Sequence, residues 1–181
     1  MAQLICETDR LLVRRYTLDD AAAALAIYSD PQVMRWLGSG VTKTIDTVGQ
    51  MRQAMVDRWL WRYEKTPQFG HFATVLKSTN QIIGTTLLKD LDGSADIEIG
   101  WHFASFAWGH GYATEAARGV MRYGFEEAGL KQIVAVVHPT NERSKAVCRR
   151  VGLKPAGKRL AYTLDLDFFI ADQRALRGVA C

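Results

Sequence analysis

Between Trp108 and Ala116 the chain reads Trp-Gly-His-Gly-Tyr-Ala-Thr-Glu-Ala. Two glycines in three residues, Gly109 and Gly111, let a backbone turn tightly and approach a ligand closely. The apolar positions Ala113, Ala116, Ala117, Val120, Met121 and Phe125 then recur at helical spacing, so the glycines stand at a helix start. Such a start presents unpaired N–H groups and a positive dipole end. The combination suits a phosphate or pyrophosphate. No Lys follows the glycines as a P-loop requires. Thr114 stands where a dinucleotide fingerprint needs Gly or Ala, and the run 133–137 carries no acid. A glycine turn that only starts a helix has the same spacing.

A second set of groups lies just before this loop. Residues 96–103 alternate strictly. Ile97, Ile99, Trp101 and Phe103 share one face of the expected strand; Asp96, Glu98, Gly100 and His102 share the other. Glu98 is the candidate general base, with a structural carboxylate paired to an Arg as the alternative. Glu98 and His102 are about 13 Å apart along a regular strand, at roughly 3.3 Å per residue, too far to share one metal ion. No metal is expected. Further on, Asn141 opens a helical stretch, with Ser144 three residues later. Asn141 suits a helix N-cap whatever else it does. From Arg143 to Arg159 the chain carries seven bases and no acid: Arg143, Lys145, Arg149, Arg150, Lys154, Lys158 and Arg159. They form either a positive margin for phosphates or a solvated helix face. No nucleic-acid recognition motif accompanies them.

The elements that must position these groups form one expected α/β domain. The order read from periodicity is β-α-α-β-β-β-α-β-α-β-β. Strands are expected over 10–16, 72–76, 82–88, 96–103, 133–137, 160–164 and 167–170. Helices are expected over 21–28, 44–64, 112–128 and 141–151, with a loop at 38–40. Trp59 is expected in the core, and Trp36 beside the loop. The length of 181 residues fits one domain, and 48% apolar with 23% charged residues is ordinary for a globular chain. The formal charge of +4 permits an anionic ligand without arguing for nucleic acid. The longest apolar stretch, 21–28, is far short of the roughly 20 residues of a membrane span. Nothing before Glu7 reads as a signal peptide. Cys6, Cys148 and Cys181 form no metal-ligand pair and no disulfide framework. A reduced, cytoplasmic enzyme is the expectation.

Taken in order, the stretch 7–16, Ile97-Glu-Ile-Gly-Trp101, the glycine loop, Pro139-Thr-Asn-Glu-Arg-Ser144 and Val151-Gly-Leu153 resemble the GNAT superfamily of N-acetyltransferases. More narrowly, they resemble its RimJ/RimL branch of ribosomal-protein N-terminal acetyltransferases. The resemblance covers about residues 8–175 as one domain. It implies a mixed, mostly antiparallel sheet with two splayed parallel strands, over 96–103 and 132–138. It implies acetyl-CoA as co-substrate and a primary amine as acceptor, either a protein or peptide N-terminus or a small molecule. A non-catalytic acyl-CoA-binding module is the third reading, and a homodimer is compatible with the branch.

By the same resemblance, Trp108, Gly109, His110, Gly111, Tyr112, Ala113 and Thr114 form the pyrophosphate cradle. Asn141 and Ser144 lie near the pantetheine arm. Phe106 departs from the family pattern, which has Gln or Arg there. Glu98 borders the acceptor cleft as base, acting through a water, and Trp36 is the acceptor-contact candidate on the helical wall of that cleft. Many members place Tyr seven residues after the Asn; here that position is Cys148. Its thiol is then a candidate proton donor to the leaving thiolate, or a small buried residue. Ser144 is the second candidate donor.

Overall fold

The computed structural model describes residues 2–37 and 45–174. The loop expected at 38–40, the helix start at 44, the domain end at 175 and Cys181 lie outside them.

Eight strands form one sheet in the order β1-β2-β3-β4-β5-β6-β8-β7. They are β1 Leu4–Glu7, β2 Leu11–Arg15, β3 Gly70–Leu76, β4 Gln81–Asp90, β5 Ile97–Phe103, β6 Gln132–Val137, β7 Lys154–Ala161 and β8 Leu164–Asp172. Every neighbouring pair is antiparallel except β5 and β6. Those two share a single registered pair, Glu98 with Val134, near their starts, and part toward their C-terminal ends. This is the splay that the resemblance implies.

The helices are α1 Ala21–Tyr28, α2 Pro31–Met34, α3 Val48–Met55, α4 Trp61–Lys65, α5 Tyr112–Glu126 and α6 Glu142–Arg150. α5 lays Ala116, Ala117, Val120 and Met121 on one sheet face against Leu11, Val13, Phe72, Ile83 and Ile99. On the opposite face, α1 and α3 pack Ala24, Ile27, Met51 and Met55 with Tyr16, Ala73 and Val75. β6 is buried on both sides: Ile133 and Ala135 enter the α5 core, and Val134 enters a third cluster with Leu166 and Phe168. Its continuous apolar run needs no other explanation.

Three expectations change. Asp30-Pro31 ends α1 but also opens α2, because Asp30 Oδ1 caps the Gln32 N–H at 2.8 Å and Pro31 sits in the first turn. The single helix expected over 44–64 contains a π-helical turn, Val56–Leu60, between α3 and α4. The strand expected over 160–164 crosses a hairpin turn. Tyr162 and Thr163 form that turn with φ of 52° and 65°. Such a turn normally carries Asn-Gly, so its sequence signal is missing here. β1, only four residues long, was not expected.

Candidate active site

The glycine loop adopts the conformation its composition allows. Gly109 and Gly111 have φ of 83° and 81°, left-handed values that favour glycine. A side chain added at Gly109 would meet open space, and one at Gly111 would meet Arg10 Nη2 at 3.6 Å. Gly109 therefore faces open space, while Gly111 lies in van der Waals reach of Arg10. Gly111 is the residue before the first turn of α5, whose leading N–H groups have no intrahelical partner. Trp108 anchors the loop from behind by donating its indole N–H to the Phe103 carbonyl at 2.7 Å.

A clamp from the other end of the chain holds the loop. Arg10 Nη1 donates to the His110 carbonyl at 3.1 Å, and its guanidinium lies 4.6 Å from the Tyr112 ring centroid. Glu115, in the first turn of α5, accepts from Thr8 Oγ1 at 2.6 Å, from the Arg10 N–H at 2.9 Å and from Arg10 Nε at 2.7 Å. Burial pushes the Glu115 carboxyl up, but these donors outweigh it and hold it below the usual range.

From this loop runs an open groove of about 2020 Å³. Trp108, Gly109, Gly111, Tyr112, Ala113 and Thr114 line it, as do Asn141 and Ser144. The His110 ring does not; it stacks beside Tyr112 at 5.6 Å. Asn141 caps α6, its Oδ1 accepting from the Ser144 N–H at 3.1 Å. Of the seven bases expected at a phosphate margin, Arg143 and Arg150 line the groove. Lys145 pairs with Asp167, Arg149 with Glu142, Lys158 with Asp165 and Arg159 with Asp96. Arg10, Arg35, Lys77, Arg118 and Arg122 supply other bases along the groove. These lie far apart in sequence, so no local run marked them. A phosphate-bearing ligand with a long thiol arm fits this cradle, groove and basic margin. Phe106 is 60% exposed and supplies no polar contact to the loop.

Where β5 and β6 part, the groove meets a smaller cavity of about 350 Å³. Trp36, Leu37, Trp101, His102, Asn141 and Ser144 line both. Glu98, Lys89, His71 and Tyr162 line only the smaller one. Glu98 is 7% exposed and its Oε2 accepts from the Tyr162 hydroxyl and from Lys89 Nζ at 3.3 Å. Lys89 also donates to the Tyr162 hydroxyl at 2.5 Å. Burial raises the Glu98 carboxyl above its ordinary range; Lys89 and Tyr162 pull it part of the way back. The antiparallel register sets Lys89 opposite Glu98. Counting outward from the 90–96 turn would have found that pair. Nothing local marked Tyr162. The left-handed hairpin tip carries it there, and its N–H is tied to Asp92 Oδ2 at 3.0 Å.

Two neutral histidines complete this wall. His102 Nδ1 pairs with the Tyr28 hydroxyl at 2.9 Å, and burial, with Lys89 nearby, lowers its pKa to about 4. His71 stacks on the buried Trp59 with ring centroids 4.9 Å apart, and burial holds its pKa well below the usual value. Trp36, expected near the acceptor, stands 5.7 Å from His138, ring centroid to centroid. Asp96, expected on the polar face of the strand, instead pairs with Arg159 at 2.5 Å and lines neither cavity. Cys148 also lines neither. It is fully buried in the α5 core, and burial pushes its thiol up to about 12. Among the described residues no group of three His, Cys, Asp or Glu could hold a metal ion.

Known proteins are similar to this chain in sequence and in fold. The profile of the Acetyltransferase (GNAT) domain matches residues 10–154. The "Uncharacterized N-acetyltransferase YnaD" of Bacillus subtilis (strain 168) is 31% identical over 83% of this chain and 82% of its own length. The crystal structure of the acetyltransferase from Agrobacterium tumefaciens str. C58 superposes with a TM-score of 0.73 at 26% identity, covering 92% of this chain and 93% of that one. Mycobacterium smegmatis RimJ, solved with CoA-disulfide, shares the fold at a TM-score of 0.76 and 19% identity, over 97% of this chain and 87% of its own. With the profile spanning most of its length, the chain belongs to the GNAT family of N-acetyltransferases.

Proposed function

We propose that the protein moves an acetyl group from acetyl-CoA directly to a primary amine, with a protein or peptide N-terminal α-amine as the preferred acceptor. The acetyltransferase domain would span 8–175 and work in the cytoplasm; no described helix is long and apolar enough to cross a membrane. The observation that carries the reading is the junction of groove and cavity at the β5–β6 splay. What supports the α-amine is the motif resemblance to the RimJ/RimL branch.

When bound, acetyl-CoA supplies the thioester whose acyl carbon is transferred. The N–H groups of the glycine loop and the α5 start bind its pyrophosphate. Arg143 and Arg150 neutralise phosphate charge at the groove wall. Backbone N–H groups where β5 is released from β6 polarise the thioester carbonyl, in the manner of an oxyanion hole. An acceptor α-amine has a pKa near ~8, so near neutrality most of it must lose a proton before it attacks. Glu98 takes that proton through a water. Its raised pKa makes it a better base than an ordinary carboxylate, while Lys89 and Tyr162 hold it in place. As the nitrogen bonds to the acyl carbon, the C–S bond breaks and the sulfur takes up a proton. Ser144, at the junction, is placed to relay it. Cys148 has no access to the junction, so this step does not use it.

The test is an acceptor screen, with free-thiol release followed over peptides of varied N-terminus and over small amines. Peptide α-amines should be acetylated fastest. Faster turnover of amino acids, polyamines or antibiotics would replace the acceptor class. Tight CoA binding without turnover of any amine would leave only a binding module.

A further inference from the structure

The smaller cavity has a charge balance that bears on its acceptor. Among the described residues that line it, the formally charged ones are Arg58, Lys89 and Glu98. The Glu98 charge is already met by Lys89 at 3.3 Å and by the Tyr162 hydroxyl. Asp92 lies behind Tyr162 and is held on its N–H rather than in the cavity. His71 and His102 are neutral near pH 7, because burial lowers both. Arg58 is left as the one formal charge of the wall without a carboxylate partner among the described residues.

The backbone that carries Arg58 is fixed by the fold. Arg58 sits in the π-helical turn, a distortion frequent at functional sites. The next residue, Trp59, is 6% exposed and stacked on His71, which anchors the backbone that carries Arg58. Arg58 itself is exposed to solvent and lines the cavity but not the groove. It is therefore separate from the bases that serve the phosphates. A guanidinium so placed offers a planar fork that matches a carboxylate. A second ammonium on the acceptor would meet Arg58 and Lys89 instead.

We propose that the acceptor is an amine that also carries a carboxylate, with Arg58 binding that carboxylate while the amine reaches the junction of cavity and groove. The inference rests on the acetyltransfer reading above and narrows its acceptor. Polycationic amines are disfavoured by the same wall.

Matched acceptors test it. Ala-Glu-amide and Ala-Gln-amide differ in one charge at nearly constant shape, as do 4-aminobutyrate and 4-aminobutanamide; spermidine serves as the cationic probe. In at least one pair the carboxylate member should have kcat/KM about 10-fold above its amide, the scale of one well-placed ion pair, with spermidine below both. Arg58→Gln should bring that ratio to about 1, and Arg58→Lys should keep part of it. Unfolding midpoints of both variants establish that they are folded. A ratio of 1 or less in both pairs for the native protein, or an unchanged ratio in Arg58→Gln, would overturn the proposal. The same pairs are titrated calorimetrically into the CoA-loaded protein. If no probe is turned over, the affinity ratio decides the acceptor question by the same criteria, and the missing turnover counts against acetyl transfer alone.

Discussion

The head of the groove offers the backbone N–H groups of a glycine loop and a helix start; the cavity is walled by side chains. The glycine-loop end of the groove is lined by six residues of 108–114 at a helix start, braced by the Arg10–Glu115 clamp. The cavity is drawn from β3, β4, β5, β6, the β7–β8 hairpin tip and the π-helical turn. A cradle of N–H groups tolerates changes in side chains, because its donors belong to the backbone. A wall of side chains does not, because each partner is supplied once. The groove thus suits an invariant ligand, and the cavity is where one member of a fold family comes to differ from another.

Several substitutions would sharpen or break this contrast. The largest effect belongs to the backbone side. Gly111→Trp fills the cradle and forces a bulky residue into a left-handed backbone with φ near 81°. Acetyl-CoA affinity should fall about 1,000-fold, some 4 kcal/mol, by calorimetry. Unchanged affinity would move the pyrophosphate elsewhere.

On the side-chain side, the two half-buried histidines tie stability to pH. His102 has a pKa of about 4 when folded against 6.5 when unfolded, so the unfolded chain takes up a proton first. Stability contributed above pH 6.5 is lost as pH falls toward 4, with His102 accounting for about 3 kcal/mol. His71 acts in the same direction. Denaturant titrations between pH 7 and 4 should show this decline, and His102→Gln should flatten it.

Glu98→Gln should lower kcat about 100-fold with acetyl-CoA affinity intact. In the native protein, activity should fall as acid protonates Glu98, at a pH above the ordinary carboxylate range. A native-like pH–rate profile in Glu98→Gln would remove Glu98 as base. Tyr162→Phe should lower kcat about 10-fold, the scale of one hydrogen bond to a charged group. Tyr162 pulls the Glu98 pKa down, so its loss should move the acid limb to higher pH. The smallest effect is expected at Cys148. Cys148→Ala should leave kcat within about 2-fold while costing roughly 1 kcal/mol of stability, since the thiol packs in the core. A large drop in kcat there would return Cys148 to the chemistry.

How much was legible followed the same division. The helix carrying the glycine loop, the alternating strand and the doubly buried strand were all readable, because each is a local pattern of spacing. Glu98 could be named as a candidate from the alternation of its strand, and Ser144 from the resemblance of its motif. The hairpin at Tyr162-Thr163 was not readable, because its left-handed turn contains neither Gly nor Asn. The π-helical turn was hidden inside a run that kept helical spacing of apolar residues. The basic run 143–159 divides between its two readings: Arg143 and Arg150 line the groove, Lys145, Lys158 and Arg159 face carboxylates brought from other elements, and Arg149 faces Glu142 of its own helix.

By itself the sequence determined most of the elements, the glycine loop at a helix start and the polar face of one strand. These depend on residues within a turn or two of each other, where backbone sterics and side-chain period decide the outcome. Only the tertiary structure decided that Arg10 reaches Glu115, that Tyr162 and Lys89 hold Glu98, and that Cys148 is sealed in the core. Those contacts join residues 9 to 105 positions apart, or depend on which face is covered. They are set by sheet register and by burial, which no local pattern specifies.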